Sequence, residues 1–275
     1  MEHSGVALSL CSAITQAGAH ALLKSGKDKL VIRGIIGATC AIIVLPLIIL
    51  SGLPHEHVVP WLILGSTIHT VYQLVLIKAY EKTDFSVAYP LARGIAPVAT
   101  ATFGVLLLGD HLSHKAIAGI IFVTCGMLSV YKKSNVSRIG ALAALTAGVL
   151  TTFYTLVDGY AVRISPSSLA FTTWFFILDG MIMCPLAFFM RRERFIQLVR
   201  NEGSLGIVAG FSSLITYGLA IFALRISPVG IVSALRETSV VFGTVIAFLV
   251  LKESISIRRA LAVMLIAIGG ICVAI

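Results

Sequence analysis

Ala88-Tyr89-Pro90-Leu91-Ala92-Arg93-Gly94-Ile95-Ala96-Pro97 interrupts a long apolar run with an arginine, a tyrosine and two prolines. Further along, Ser233-Ala234-Leu235-Arg236-Glu237-Thr238-Ser239 repeats the intrusion, with Arg236 lying 143 residues beyond Arg93. An arginine inside a hydrophobic segment is costly, and two at matching places call for a reason.

The surrounding chain sets the class. Hydrophobic residues make up 58% of the 275 and charged residues 12%, against about 45–50% and about 25% in soluble domains. Mean hydropathy is +1.00. An all-α integral membrane protein follows, because helices satisfy every backbone group within the bilayer. At roughly 20 residues per span, ten spans consume most of the chain. They are expected near 5–24, 31–51, 59–80, 86–108, 114–131, 138–161, 168–190, 204–224, 228–250 and 257–275. The opening apolar run lacks a basic leader region and a clear small-residue cleavage site, so it reads as the first span.

The charge of +9 does not indicate nucleic acid as a partner, because the basic residues segregate by side. Of 21 Lys and Arg, 16 fall in the gaps after spans 1, 3, 5, 7 and 9, Lys24, Arg33, Lys132 and Arg191 among them. Three fall in the alternate gaps, and the remaining two are Arg93 and Arg236. The positive-inside rule then puts both termini outside and makes the protein a multi-pass inner-membrane protein.

The constant offset of 143 also matches Asp110 with Glu253, Gly126 with Gly269 and Gly37 with Gly180. Two five-span repeats result, 1–133 and 134–275. An odd number of spans forces the second repeat to enter the membrane in the opposite sense. Inverted repeats of this kind put a substrate site near the midplane between the halves. Arg93 is about seven residues into its span, about 10 Å deep at 1.5 Å per residue, in a core about 30 Å thick.

On these residues the chain resembles the ten-helix drug/metabolite transporter superfamily, EamA-type branch. The resemblance is carried by Tyr89-Pro90-Leu91-Ala92-Arg93-Gly94 with Pro97, Leu106-Leu107-Leu108-Gly109-Asp110, Tyr154-Thr155-Leu156-Val157-Asp158-Gly159, Ala234-Leu235-Arg236-Glu237-Thr238-Ser239-Val240 and Leu251-Lys252-Glu253. It covers essentially the whole chain. The first helix departs from the family pattern at Gln16-Ala17-Gly18-Ala19-His20, and Asp110 stands where the family usually has Glu. The resemblance implies a central cavity between two five-helix bundles and movement of small metabolites.

Ionisable residues at bilayer depth mark function by default. They are Arg93, Asp158, Asp179, Arg236 and Glu237, with His20 and His69. All three acids lie in the second repeat, so Arg236 has candidate counter-ions in Asp158 or Asp179 and Arg93 has none in its own half. Glu237 adjoins Arg236 but points about 100° away on a helix. The expectation is a paired Arg236 and a freer Arg93 that faces the cavity and takes a carboxylate or phosphate. A structural role, bonding carbonyls freed beside Pro90 or Pro97 or pairing across the halves, is the alternative. Asp179 is a candidate for proton coupling or for an ion pair, and Asp158, Arg236 and Glu237 stand with it as coupling or ion-pair candidates. Tyr72, Gln73, Tyr89, Tyr154, Trp174 and Tyr217 lie within spans and are candidates to line the cavity.

Asp110 and Glu253 are expected to cap or tether the following helices. The five cysteines have no metal or redox spacing, His55-Glu56-His57 reads as a solvated loop, and no Gly-x-x-x-x-Gly-Lys loop is present. No metal, cofactor or catalytic constellation is expected, and the chain does not read as an enzyme. The reading is a secondary transporter working by alternating access on a small organic metabolite, with export the expected direction. Its partners are membrane lipids, the substrate, and a proton or counter-substrate. A flippase or carrier for a lipid-linked precursor, or a non-transport membrane protein, stands as the alternative.

Overall fold

The computed structural model describes residues 2–23, 28–83, 85–129, 137–249 and 256–275. Every element among them is helical. In order they are α1 (Glu2–Leu23), α2 (Lys29–Val44), a 3-10 turn, α3 (Ile48–Ser51), α4 (Val59–Lys82), α5 (Phe85–Gly94), α6 (Ala96–Leu108), α7 (His114–Ser129), α8 (Arg138–Ile164), α9 (Ser168–Met190), α10 (Arg192–Ile226), α11 (Val229–Glu237), α12 (Ser239–Leu249) and α13 (Ile257–Ala274). Among the described residues seven helical segments are long and apolar enough to cross a membrane, and α7 is a shorter apolar helix. Large apolar side chains such as Ile49, Leu50 and Phe189 stand on the outside. A surface of that kind suits lipid rather than water. The expected cap or tether Glu253 and the gap charges Lys24 and Lys132 lie outside the described residues, as does the His20 side chain.

Local chemistry sets the helix ends. Asp28 caps α2 by accepting from the amides of Leu30 and Val31. Ser113 caps α7 through the Ala116 amide at 3.1 Å, and Ser256 caps α13 through the Arg259 amide at 3.4 Å. These two serines are 143 residues apart. The helix breaks obey the same offset. α5 gives way to α6 at Ile95, and α11 gives way to α12 at Thr238. The causes differ. Pro97 has no N–H for the Arg93 carbonyl, which unhooks the first junction. At the second, the Thr238 hydroxyl donates to the Leu235 carbonyl at 2.6 Å and competes with the helical ladder.

The most extensive packing pairs are α7 with α13, α2 with α9, α4 with α8 and α1 with α10. Shifting the first-half helices onto their second-half counterparts leaves α7–α13 and α2–α9 unchanged and exchanges α4–α8 with α1–α10. That is a two-fold pattern. Glycines make the self-matched pairs close. A Cβ on Gly269 would meet the Gly119 carbonyl at 2.6 Å, and one on Gly126 would meet the Ala262 carbonyl at 2.9 Å. Those two contacts are images of each other under the offset. Gly37 and Gly180 lie directly against one another. Small residues let helix backbones approach where lipid supplies no hydrophobic drive between helices.

The ends of the halves are also tied together. Gly109 takes a left-handed φ of 69° at the C-cap of α6, a conformation glycine adopts without steric cost. Asp110 follows, and the expected tether to the next helix is corrected. The Asp110 carboxylate caps α11 in the other half, accepting from the Val229 amide at 2.7 Å and from Arg163 Nη1 at 2.7 Å. Ser113 already serves α7, which leaves the aspartate free for the distant N-terminus.

Candidate functional site

The two helix breaks face each other near the centre of the bundle. Arg93 sits two residues before the α5–α6 break, and Arg236 and Glu237 immediately precede the α11–α12 break. Glu237 grips Arg93 from the opposite half, with Oε1 2.8 Å from Nη2 and Oε2 accepting from Nε at 3.3 Å. Both side chains are buried. Bidentate geometry makes this one of the stronger kinds of ion pair.

Arg236 is placed differently. Among the described residues it makes no salt bridge, and its buried Nε has no hydrogen-bond partner. Its guanidinium lies over the Tyr217 ring, 5.4 Å from the centroid, within cation–π range. With Arg93, Thr151, Thr155, Ser233 and Glu237 it lines a small polar chamber of about 10 Å³, room for about one water. The expected assignment of the two arginines is therefore reversed. The acid adjacent to Arg236 turns away from it along the helix, as the 100° step requires, and meets Arg93 across the two-fold. The image of Glu237 in the first half is Gly94, so Arg236 has no equivalent acid.

Asp179 is fully engaged. Arg33 Nη2 donates to both its oxygens, at 3.1 and 2.9 Å, and His69 Nδ1 lies 3.4 Å from Oδ1. Arg33 was counted by sequence among the cytoplasmic gap charges, but it lies in α2 and turns inward. Asp158 is fully buried on α8 and forms no salt bridge among the described residues. The Tyr217 hydroxyl donates to its Oδ2, and its Oδ1 has no hydrogen-bond partner. The expected pairing of Arg236 with either acid is absent. Arg163, one turn on from Asp158, is committed to Asp110 and to the Ser227 carbonyl at 2.8 Å.

Of the candidate aromatics, Tyr72, Tyr154 and Tyr217 gather around His69. Tyr72 and Tyr154 have centroids 5.2 Å apart, and His69 lies 4.8 Å from Tyr154 and 5.3 Å from Tyr217. Tyr89 packs against the smaller core that includes Leu235 and Met127. Trp174 is elsewhere: its Nε1 donates to the Gly52 carbonyl at 2.9 Å, at an exposed helix end. Gln73 is half-buried and does not line the chamber. Thr151, Thr155 and Ser233 line it although none was among the candidate cavity residues. Their signal was the spacing Thr151, Thr155, Asp158, one stripe on a helix. Among the described residues no group of three His, Cys, Asp or Glu is placed to hold a metal.

The model of the EamA-like transporter family matches residues 3–132 and again 138–275. The chain belongs to the EamA-like transporter family. Members of this family are transporters rather than enzymes, and the EamA repeat plus several apolar helices make this a multi-pass membrane protein. No curated protein matches the chain. Among solved structures, one reported simply as a crystal structure of a protein is 15% identical and covers 98% of this chain and 97% of its own, at a TM-score of 0.74. At that identity the likeness speaks for the fold alone. It spans both halves of the EamA arrangement.

Proposed function

We propose that this EamA-like protein is a secondary transporter that moves a small organic anion by alternating access, with Arg236 as the anchor for a carboxylate or phosphate. The observation that carries the reading is a buried arginine that faces a small polar chamber, lined by second-half residues and by Arg93 of the first half, and that makes no salt bridge among the described residues. A buried charge is normally paired. Among the described residues Arg33 and Arg93 are paired, and Arg236 makes no salt bridge. A guanidinium fork matches carboxylate and phosphate oxygens; Ser233 lines the same chamber, as do Thr151 and Thr155, whose hydroxyls donate to the Ala147 and Thr151 carbonyls.

Ten spans arranged as inverted repeats, 1–133 and 134–275, with both termini outside an inner membrane, agree with the doubled family match and the two-fold packing. In that arrangement the Arg93–Glu237 bond crosses between the repeats, and rocking of one against the other opens the chamber to each side in turn.

Purified protein in sealed vesicles, tested by counterflow with amino acids, hydroxy acids, dicarboxylates and inorganic phosphate, tests the reading. At least one anion is expected to exchange. Arg236→Gln should lower that exchange at least tenfold and Arg236→Lys less, while Trp174→Phe leaves it intact. Exchange of cations alone, or full activity in a well-folded Arg236→Gln protein, rules the assignment out.

A further inference from the structure

Among the described residues the interior charges leave one acid and one base over. Glu237 matches Arg93 and Asp179 matches Arg33. Arg236 and Asp158 remain, and they are not in contact. Tyr217 stands between them, with its ring under the guanidinium and its hydroxyl on Asp158 Oδ2. We propose that Asp158 is a proton-carrying site coupled to Arg236 through Tyr217, so that one proton travels with each negative charge of the substrate. This rests on the reading of Arg236 as the anion anchor.

When the chamber is empty, an ionised Asp158 and Arg236 offset each other across one ring. When an anion seats on Arg236, that charge is already compensated, and Asp158 becomes a surplus buried carboxylate. An unpaired buried charge in a low-dielectric interior is relieved by neutralisation. A hydronium ion from the open side passes a proton to the carboxylate, which becomes a carboxylic acid and leaves water behind. On the other side the anion departs, Arg236 again favours a negative neighbour, and the proton returns to water. Nothing is oxidised or reduced, and the step is electroneutral.

The surroundings suit this. Asp158 Oδ1 is buried without a hydrogen-bond partner. It lies against Gly65 of α4, where any side chain would collide with it. Thr151, Thr155 and Asp158 share one face of α8, and the two threonines line the chamber, which gives a short route along the stripe. The other ionisable groups facing this region are committed. His69 of α4 stands against Tyr217 but turns Nδ1 to Asp179 of α9, which Arg33 of α2 holds. Arg93 of α5 belongs to Glu237 of α11. Tyr154 lies one turn back on α8 itself, and α6 contributes no ionisable residue.

The experiment uses full-length protein in vesicles loaded with a pH-sensitive dye, with the same panel of amino acids, hydroxy acids, dicarboxylates and inorganic phosphate as probes. For whichever probe moves, outward flux should alkalinise the interior, and an imposed pH gradient should drive its accumulation. Asp158→Asn should keep equal exchange of the probe but lose the pH change at least tenfold. Asp158→Glu should restore it. Infrared spectra of wild-type protein labelled with ¹³C-aspartate add a readout independent of any variant's folding: probe binding should raise a labelled protonated-carboxyl band, absent in Asp158→Glu. Probe flux without proton movement, proton movement unchanged in Asp158→Asn, or no labelled band on binding would each overturn the proposal. If no anion moves at all, the anion reading fails first and this one with it.

Discussion

Arg93 and Glu237 join the two halves of the chain through a bidentate bond, 2.8 Å at its shorter contact, buried at the centre of the bundle. Its neighbour in sequence, Arg236, takes no part in it. The pair joins one half to the other, so Arg93 is held by the protein's own carboxylate rather than waiting for substrate. Removing one member strands the other's charge. Glu237→Ala is expected to cost about 3–5 kcal/mol of stability, the usual penalty for breaking a buried pair on one side. Replacing both, Arg93→Met with Glu237→Met, should recover most of that loss, because no buried charge remains. Thermal melting of the purified variants checks the order, and a double variant as unstable as the single one would sink this account.

Arg33 and Asp179 form a second such bond, 2.9 Å long, with His69 on the far oxygen. The same logic applies. Asp179→Ala should destabilise by about 3 kcal/mol or more, and Arg33→Met with Asp179→Leu should be near wild type. The functional contrast is with Asp158. Asp179 is saturated with partners, so the rescued double variant should retain proton-linked transport. Loss of coupling there would move the proton site from α8 to α9.

These two pairs also show what the sequence made legible. The all-helical membrane class and the repeat offset follow from hydropathy and from the 143-residue match, because lipid imposes a strong pattern on every crossing segment; seven of the ten expected spans are long and apolar enough to cross among the described residues, and the break at Thr238 left no proline to announce it. Partner choice does not follow. Searching for counter-ions within each repeat pointed Arg236 toward Asp158 or Asp179, whereas the real pairs cross between halves: Arg93 to Glu237, Arg33 to Asp179, Arg163 to Asp110. A two-fold arrangement brings distant residues together at its axis, and one-dimensional spacing carries no trace of that. Arg33 was hidden by its place near a basic gap, where a charge normally faces water. Tyr72, Tyr154 and Tyr217 were found by depth alone, and Trp174, equally deep by count, turned to the Gly52 carbonyl instead.

Close glycine contacts hold the self-matched helix pairs. A Cβ on Gly269 would meet the Gly119 carbonyl at 2.6 Å, whereas one on Gly243 would meet nothing within 4 Å. Gly269→Ala forces α7 and α13 apart and should cost about 1–3 kcal/mol, the range for overpacking a tight contact. Gly243→Ala fills open space and removes a helix-weakening glycine, so it should be neutral or stabilising by about 0.5–1 kcal/mol. Melting temperatures that move together in the two variants would show that α7 and α13 are less tightly apposed than their backbones indicate.

Asp110 offers a local test of how the halves are fastened at one end. Its Oδ2 accepts from the Val229 amide at 2.7 Å, and its other oxygen holds Arg163. Arg163 in turn donates to the carbonyls of Leu224 and Ser227 at the end of α10. One carboxylate thus satisfies an amide at the start of α11 and orients a guanidinium that closes the end of α10. Asp110→Ala removes the cap, worth about 0.5–2 kcal/mol by itself, and leaves Arg163 without its counter-ion. Hydrogen exchange should accelerate at the amides of Val229 and the first turn of α11. The first turn of α7, which Ser113 caps on its own, should keep its protection despite lying closer in sequence. Asp110→Asn retains an oxygen for the amide and should fall between the two. Faster exchange in α7 with α11 unchanged would return Asp110 to the role its sequence position suggested, a tether for the helix that follows it.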